Sequence, residues 1–252
     1  MKIGIIGAGP IGSTLSNKFV DNGHTVKIAD VRSIEHLNNK TFSGQAVDIE
    51  NVITDIDILI LSIPTNIIPD INNIIALVSK DVIVVDTANY YPFRDNQIEA
   101  IEHGTPESVW VSQQIGREVV KAFNNLLAYT LENKGASQES KNRIAMAISG
   151  NHSSAKEKVA TLINEIGFDV VDNGELTDSW KHQPGTPAYC TELTKAELAL
   201  ALEKANKAKA PTLRDKIIEN FSPDFTHEDT VNLNRKIYNE KYSLHGKSNL
   251  IE

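Results

Sequence analysis

Cysteine is nearly missing from this sequence: Cys190 stands alone among 252 residues. That excludes an internal disulfide framework and fits a reducing cytosol. A lone thiol of this kind reads as a small buried hydrophobe rather than a nucleophile. An excess of positive charge is missing too. Lysine and arginine number 25 against 33 aspartates and glutamates, a net charge of −8, which speaks against nucleic acid or an anionic membrane as partner. No apolar run approaches the ~20 residues needed to cross a bilayer, and the most apolar stretch, residues 56–63, is far too short. The first apolar residues read as a strand of the fold rather than a signal peptide, so the expected location is cytoplasmic. A Ser/His/Asp set and a Walker phosphate loop are also absent. Asp169, Asp172 and Glu175 lack a recognisable ligand spacing and read as surface acids, so no metal is expected.

What the sequence does have begins at its first residues. Residues 2–6 are an Ile-rich run of the kind that forms a buried parallel strand. It runs into Gly7-x-Gly9-x-x-Gly12, after which Ile11, Leu15 and Phe19 recur on one helical face. Gly23 closes that helix, residues 25–29 form a second strand, and Asp30 stands at its end. The three glycines of the turn do different things. Gly7 permits the tight bend, Gly9 lets a pyrophosphate approach the backbone, and Gly12 lets helix and strand pack closely. Pro10 suits the first helical position, and the free N–H groups beside it face the phosphates. Strand, turn, helix and trailing acid together are the context that a dinucleotide fingerprint requires. The expectation is binding of NAD or NADP by Gly7, Gly9, Pro10, Ile11, Gly12 and Asp30.

Further along, residues 45–49 are a weak third strand, 57–64 a strong buried one, and 81–86 and 118–123 two more. Helices are expected over 66–78 and from Thr105-Pro106-Glu107 to residue 114. Alternation of this kind predicts an α/β fold, a Rossmann-type doubly wound parallel sheet over residues 1–125. Its cofactor would lie across Gly7–Gly12, Ser62, Ile63, Pro64, Ala88 and Asn89, along the edge where the strands end. Residues 126–252 are expected to form a smaller α+β domain that closes the substrate cleft and dimerises. Within it, strands are predicted at 143–149 and 168–171 around a helix at 154–166. Thr194 and Glu197 have capping-box spacing, which opens a helix running to residue 209 until Pro211 stops it. A last helix is predicted at 227–238, before a polar end.

Four stretches taken together carry a resemblance: the Gly7–Gly12 turn, DTANYYPFRD at 86–95, GREVVKAFNN at 116–125 and QPGTPAYCTEL at 183–193. The chain resembles the deazaflavin-dependent NADP reductase family, and more closely the bacterial dinucleotide-binding oxidoreductases grouped with it, over roughly residues 1–205. The resemblance implies a Rossmann domain with a small C-terminal domain, usually dimeric. It also implies hydride transfer between NADPH and the deazaflavin coenzyme F420, stacked on the nicotinamide in a cleft between domains. One departure matters. Where the family tends to place a Ser-Arg pair on the 2′-phosphate of NADP, this chain has Asp30-Val31-Arg32. Asp30 can accept hydrogen bonds from a 2′-hydroxyl and would repel a phosphate. Arg32 could pair with that phosphate, stack on adenine, or remain a solvated loop cation. The chemistry leans to NAD, against the family's NADP.

A carbonyl reductase needs a placed proton donor, and Lys121, His182 and Tyr189 are the residues available. Lys121 sits in an apolar strand facing away from Val120 and Ala122, as a catalytic group, an edge cation, or a lysine whose stem lines the cleft. His182 reads as a hydrogen-bonded loop histidine, and Tyr189 and Trp110 as packing residues. Asn89 and Asn124 each follow a strand that should end near the nicotinamide, where a carboxamide can orient a ring without titrating. Transfer between two stacked rings depends mainly on alignment, so a planar acceptor such as a deazaflavin or flavin needs no protein acid. The alternatives are a non-enzymatic NAD(P)-binding redox sensor and a reductase of a small carbonyl or metal chelate.

Overall fold

The computed structural model describes residues 1–239. Its main sheet has six parallel strands in the order β3-β2-β1-β4-β5-β6. These are β1 (Lys2–Ile6), β2 (Thr25–Ala29), β3 (Gln45–Ala46), β4 (Ile58–Leu61), β5 (Ile83–Asp86) and β6 (Val120–Lys121). The continuous apolar runs have a simple cause, because both faces of the sheet are covered. Ile58 and Ile60 point into one apolar cluster with Leu15 and Phe19, while Leu59 and Leu61 point into another with Ile75 and Val84. The chain order reverses on either side of β1, between β2 and β4, and that switch point opens a crevice at the strand ends.

After β6 the chain adds β7 (Ala145–Ile148) and β8 (Asp169–Asp172), a parallel pair joined through the helix Ser153–Glu165. Lys121 and Ser149 tie this pair to the main sheet by two antiparallel bonds, of 2.8 and 3.1 Å. Phe19 and Phe123 share one apolar cluster with Met146, Leu162 and Phe168. Residues beyond 125 therefore complete the same core as residues before it. Among the described residues no helix is long and apolar enough to cross a membrane.

Several local expectations need correction. Residues 66–78 are not one α-helix but a 3-10 segment, Thr65–Ile71, followed by a single turn, Asn72–Ile75. Pro69 lies inside it and has no N–H to donate to the helix ladder. The Thr194–Glu197 capping box is present, yet its helix ends at Glu203. Pro211 does not stop that helix; it begins the next one, Ala210–Asn220, in the first-turn position where a missing N–H costs nothing. The strand expected at 118–123 has only Val120–Lys121 in the ladder. Of the third strand only Gln45–Ala46 forms, and the helical turn Ile49–Val52 takes over at its predicted end. The final helix spans His227–Asn239, and the polar end predicted after it lies outside the described residues.

Candidate active site

The glycine turn has the geometry that a bend, an open middle and a close helix contact require. Gly7 has φ +109°, and a Cβ there would lie 2.1 Å from the carbonyl oxygen of Ser62. A Cβ on Gly12 would lie 2.0 Å from the carbonyl oxygen of Gly7. At Gly9 a Cβ would meet nothing within 4 Å. Two glycines are thus filled in by protein backbone, and the middle one faces open space at the head of the helix Pro10–Asp21. Pro10 occupies the first turn of that helix and Ile11 packs partly against the core. Ser62 and Ile63 border the same turn, and Ser62 N–H donates to the carbonyl of Ile6 at 2.8 Å. Just beyond Pro64, the buried Thr65 Oγ1 and Asn66 Oδ1 have no hydrogen-bond partner among the described residues. Unmatched polar atoms and an unfilled glycine along one sheet edge are what a dinucleotide would complete.

At the end of β2 the acid is already engaged. Arg32 Nε donates to Asp30 Oδ1 and its Nη2 to Oδ2, both at 2.8 Å, and the Arg32 backbone N–H reaches Oδ1 at 3.0 Å. The guanidinium bonds hold the Asp30 carboxyl below its ordinary value. Asp30 is nearly buried while the Arg32 side chain is 60% exposed. Val31 between them packs against the second apolar cluster.

At the end of β5 lies a buried group of charges that sequence reading did not assemble. Lys121 is fully buried, so it is not an edge cation and its stem does not line an open cleft. Its ammonium donates to Asp86 Oδ2 at 3.1 Å and to the carbonyl of Ala88, and stands 4.0 Å from Glu107 Oε2. Ser108 Oγ donates to Asp86 Oδ2 at 2.6 Å and the Ala88 N–H to Oδ1 at 2.9 Å. Both backbone groups of Ala88 are therefore held by charges, and Arg94 donates to the carbonyl of Asn89. Lys121 acts on the loop 87–89 from beneath. Glu107, expected as a first-turn helix acid, is 3% exposed. Burial pushes its carboxyl up to about 7, with Lys121 partly opposing the shift.

Asn89 and Asn124, each expected beyond the end of a strand, bond each other. Asn124 Nδ2 donates to Asn89 Oδ1 at 3.1 Å and Asn89 Nδ2 donates to the carbonyl of Asn124 at 3.0 Å. His182 is hydrogen-bonded as expected, but its partners were unforeseen: it is fully buried with its Nδ1 3.0 Å from Asn124 Oδ1 and its Nε2 3.0 Å from Ser149 Oγ. Burial, aided by the charge of Lys121, pushes the imidazole down to about 3. Tyr189 bonds Tyr91 through their hydroxyls at 2.9 Å, and desolvation raises both. Cys190 is buried and its thiol pushed up to about 12, the state of an inert hydrophobe. Trp110 packs in the second apolar cluster. Asp169 and Asp172 pair with Arg143 and Lys156, respectively. A cavity of about 600 Å³ lies at the opposite end of the sheet among Asp81, Arg117 and His152, away from these groups. It adjoins the strand starts and has no part in the glycine-turn crevice.

Residues 2–90 match the model of the family described as NADP oxidoreductase, coenzyme F420-dependent. The chain is 35% identical over 101 residues to the protein YjhV of Escherichia coli (strain K12), spanning 39% of this chain and 74% of that one. Among solved structures, the hypothetical protein SMa0349 from Sinorhizobium meliloti superposes with a TM-score of 0.65 at 33% identity, covering 77% of this chain and 95% of that one. A protein of Arthrobacter sp. FB24 that carries the name of an F420-dependent NADP-reductase superposes with a TM-score of 0.57 at 23% identity, covering 71% and 87%. That last likeness speaks to the fold alone.

Proposed function

The chain belongs to the coenzyme F420-dependent NADP oxidoreductase family, and from that premise we propose that it transfers a hydride between a nicotinamide dinucleotide and a second planar ring, a deazaflavin or flavin. The observation that carries the reading is the turn in which Gly7 and Gly12 are closed by backbone while Gly9 is open. The bound dinucleotide would supply the hydride. The turn and helix N-terminus receive its pyrophosphate, and Ser62–Pro64 lie beneath its path. Ala88 and Asn89 stand two strands from β1, about 10 Å across the sheet, which is where the nicotinamide end arrives. An acid-free transfer is supported by what the proton donors are doing. Lys121 is sequestered, His182 is neutral with both nitrogens engaged, and the two tyrosine hydroxyls bond each other. What remains for Asn89 and Asn124 is alignment.

Calorimetry with NADH and NADPH, followed by anaerobic mixing of the reduced dinucleotide with deazaflavin, flavins and aldehydes, tests this. Binding with reduction of a planar acceptor is expected. No affinity for either dinucleotide overturns the proposal, and binding without turnover of any acceptor favours the redox-sensor reading.

The cofactor preference follows from Asp30. Its carboxylate, now paired with Arg32, would accept from a ribose diol, and its negative charge would oppose a 2′-phosphate that Arg32 would otherwise attract. NADH is the expected preference. Asp30→Ser shifts the ratio of dissociation constants toward NADPH by about tenfold or more, roughly 1.4 kcal/mol, whereas Arg32→Ala sharpens the preference for NADH by leaving the acid bare. If the unaltered protein binds NADPH far better than NADH, Arg32 dominates and the assignment of Asp30 fails.

A further inference from the structure

Around Asn89 and Asn124 the direction of every hydrogen bond can be worked out, because backbone carbonyls can only accept. Asn124 Nδ2 lies 2.8 Å from the carbonyl of His182, so that atom must be the amide nitrogen. The other end of the carboxamide, Oδ1, then accepts from His182 Nδ1, which must carry the proton. In a neutral ring Nε2 is then left as the acceptor, and Ser149 Oγ donates to it. The far end agrees independently. Asn173 Nδ2 lies 2.9 Å from the carbonyl of Asp178 and also donates to Ser149 Oγ at 3.1 Å, which leaves the hydroxyl proton free for His182. At the near end Asn89 Nδ2 meets the carbonyl of Asn124, so Asn89 Oδ1 is the atom that accepts from Asn124. Three obligate acceptors and a neutral imidazole thus give one polarity along a chain of five side chains.

Asn124, Ser149 and His182 are buried, and the two end members, Asn89 beyond β5 and Asn173 beyond β8, are partly exposed. The Asn89 carboxamide keeps one unused N–H and one unused lone pair, with their positions fixed from behind. A nicotinamide carries the complementary pair in its own carboxamide. We propose that His182 is a positioning residue: as the neutral Nδ1–H tautomer it fixes Asn124 and, through it, the orientation of Asn89, so that a nicotinamide carboxamide is received in one orientation. The proposal rests on the dinucleotide reading above.

Two measurements test it, and neither depends on turnover. In ¹⁵N-labelled protein at pH 7, NMR of the His182 ring shows a neutral Nδ1–H tautomer; an Nε2–H or a charged ring overturns the proposal. Calorimetry then compares NAD with its deamido analogue, whose carboxylate lacks the N–H donor. The unaltered protein prefers the carboxamide tenfold or more, since a site built around a hydrogen bond rejects a ligand that cannot make it. His182→Leu cuts that preference to threefold or less, and His182→Gln, which can donate and accept at the same ends, restores it. His182→Ala serves where the leucine variant does not fold: it removes the Nδ1–H donor to Asn124 without adding bulk, and the preference shrinks. A preference that survives intact in both the leucine and alanine variants, or is absent from the unaltered protein, overturns the proposal. If the unaltered protein binds neither dinucleotide, the dinucleotide reading falls with it, while the NMR result still decides the polarity of the chain.

Discussion

Gly9→Asp abolishes dinucleotide binding and leaves the melting temperature within about 2 °C of the parent, as for a surface change away from packed groups. The backbone at Gly9 has φ −76° and ψ −178°, a conformation open to any residue. An added side chain there meets no protein atom, but it occupies the space at the helix N-terminus and places a carboxylate against a pyrophosphate. Like charges at about 4 Å cost roughly 4 kcal/mol near a protein surface, before the lost volume is counted. Its neighbours behave in the opposite way. Alanine at Gly7 or Gly12 drives a methyl into backbone carbonyls about 2 Å away, and since backbone cannot give as a side chain can, stability falls by about 1–3 kcal/mol or more. Calorimetry and thermal melts on the three variants separate the effects. A Gly9→Asp protein that binds with near-normal affinity sinks the site.

Lys121→Met has the largest effect expected on stability, a loss of about 3–5 kcal/mol, the usual cost of breaking a buried pair. The methionine fills the lysine stem, but Asp86 loses a charged partner at 3.1 Å and Ala88 loses the donor to its carbonyl. The comparison is Lys2→Met, which removes a largely exposed ion pair with Asp55 that solvent screens, so little stability is lost. Urea unfolding of both variants measures the difference; equal losses would show that the buried group does not hold the loop.

The same group gives a pH dependence with a definite sign. Glu107 titrates near 7 in the folded protein, above its ordinary 4.5. The folded state therefore keeps a proton that the unfolded chain has released, and stability falls as pH rises from about 4.5 to 7, by roughly 1.4 kcal/mol per unit for one proton. Glu107→Gln removes that slope. A variant with the same slope as the parent would place the titrating group elsewhere.

The first 30 residues were readable because their constraints are local. The buried strand, the three glycines and the helical face at Leu15 and Phe19 depend on neighbours within a turn or a strand, and periodicity reports those directly. The same holds for the Thr194–Glu197 box, whose two bonds close within four residues. Asp30 and Arg32 are close in sequence, yet their mutual bidentate contact depends on how the loop after β2 curls, which composition does not encode.

Lys121 marks where local reading ends. Alternation along its strand correctly turned it away from Val120 and Ala122. Whether that second face met water or protein depended on the helix Glu107–Ile115, which packs elsewhere in the chain order and brings Glu107 and Ser108 to the same spot. His182 is the sharper case, since its partners Asn124 and Ser149 lie 58 and 33 positions away. The sequence by itself determined the parallel sheet, the tight glycine turn at its head and the strand-end places of the asparagines, because spacing along one strand or helix dictates which side chains share a face. Only the tertiary structure decided which of the candidate proton donors are free. Burial and partner atoms set a side chain's charge, and both come from elements that the sequence does not bring together until the chain is folded.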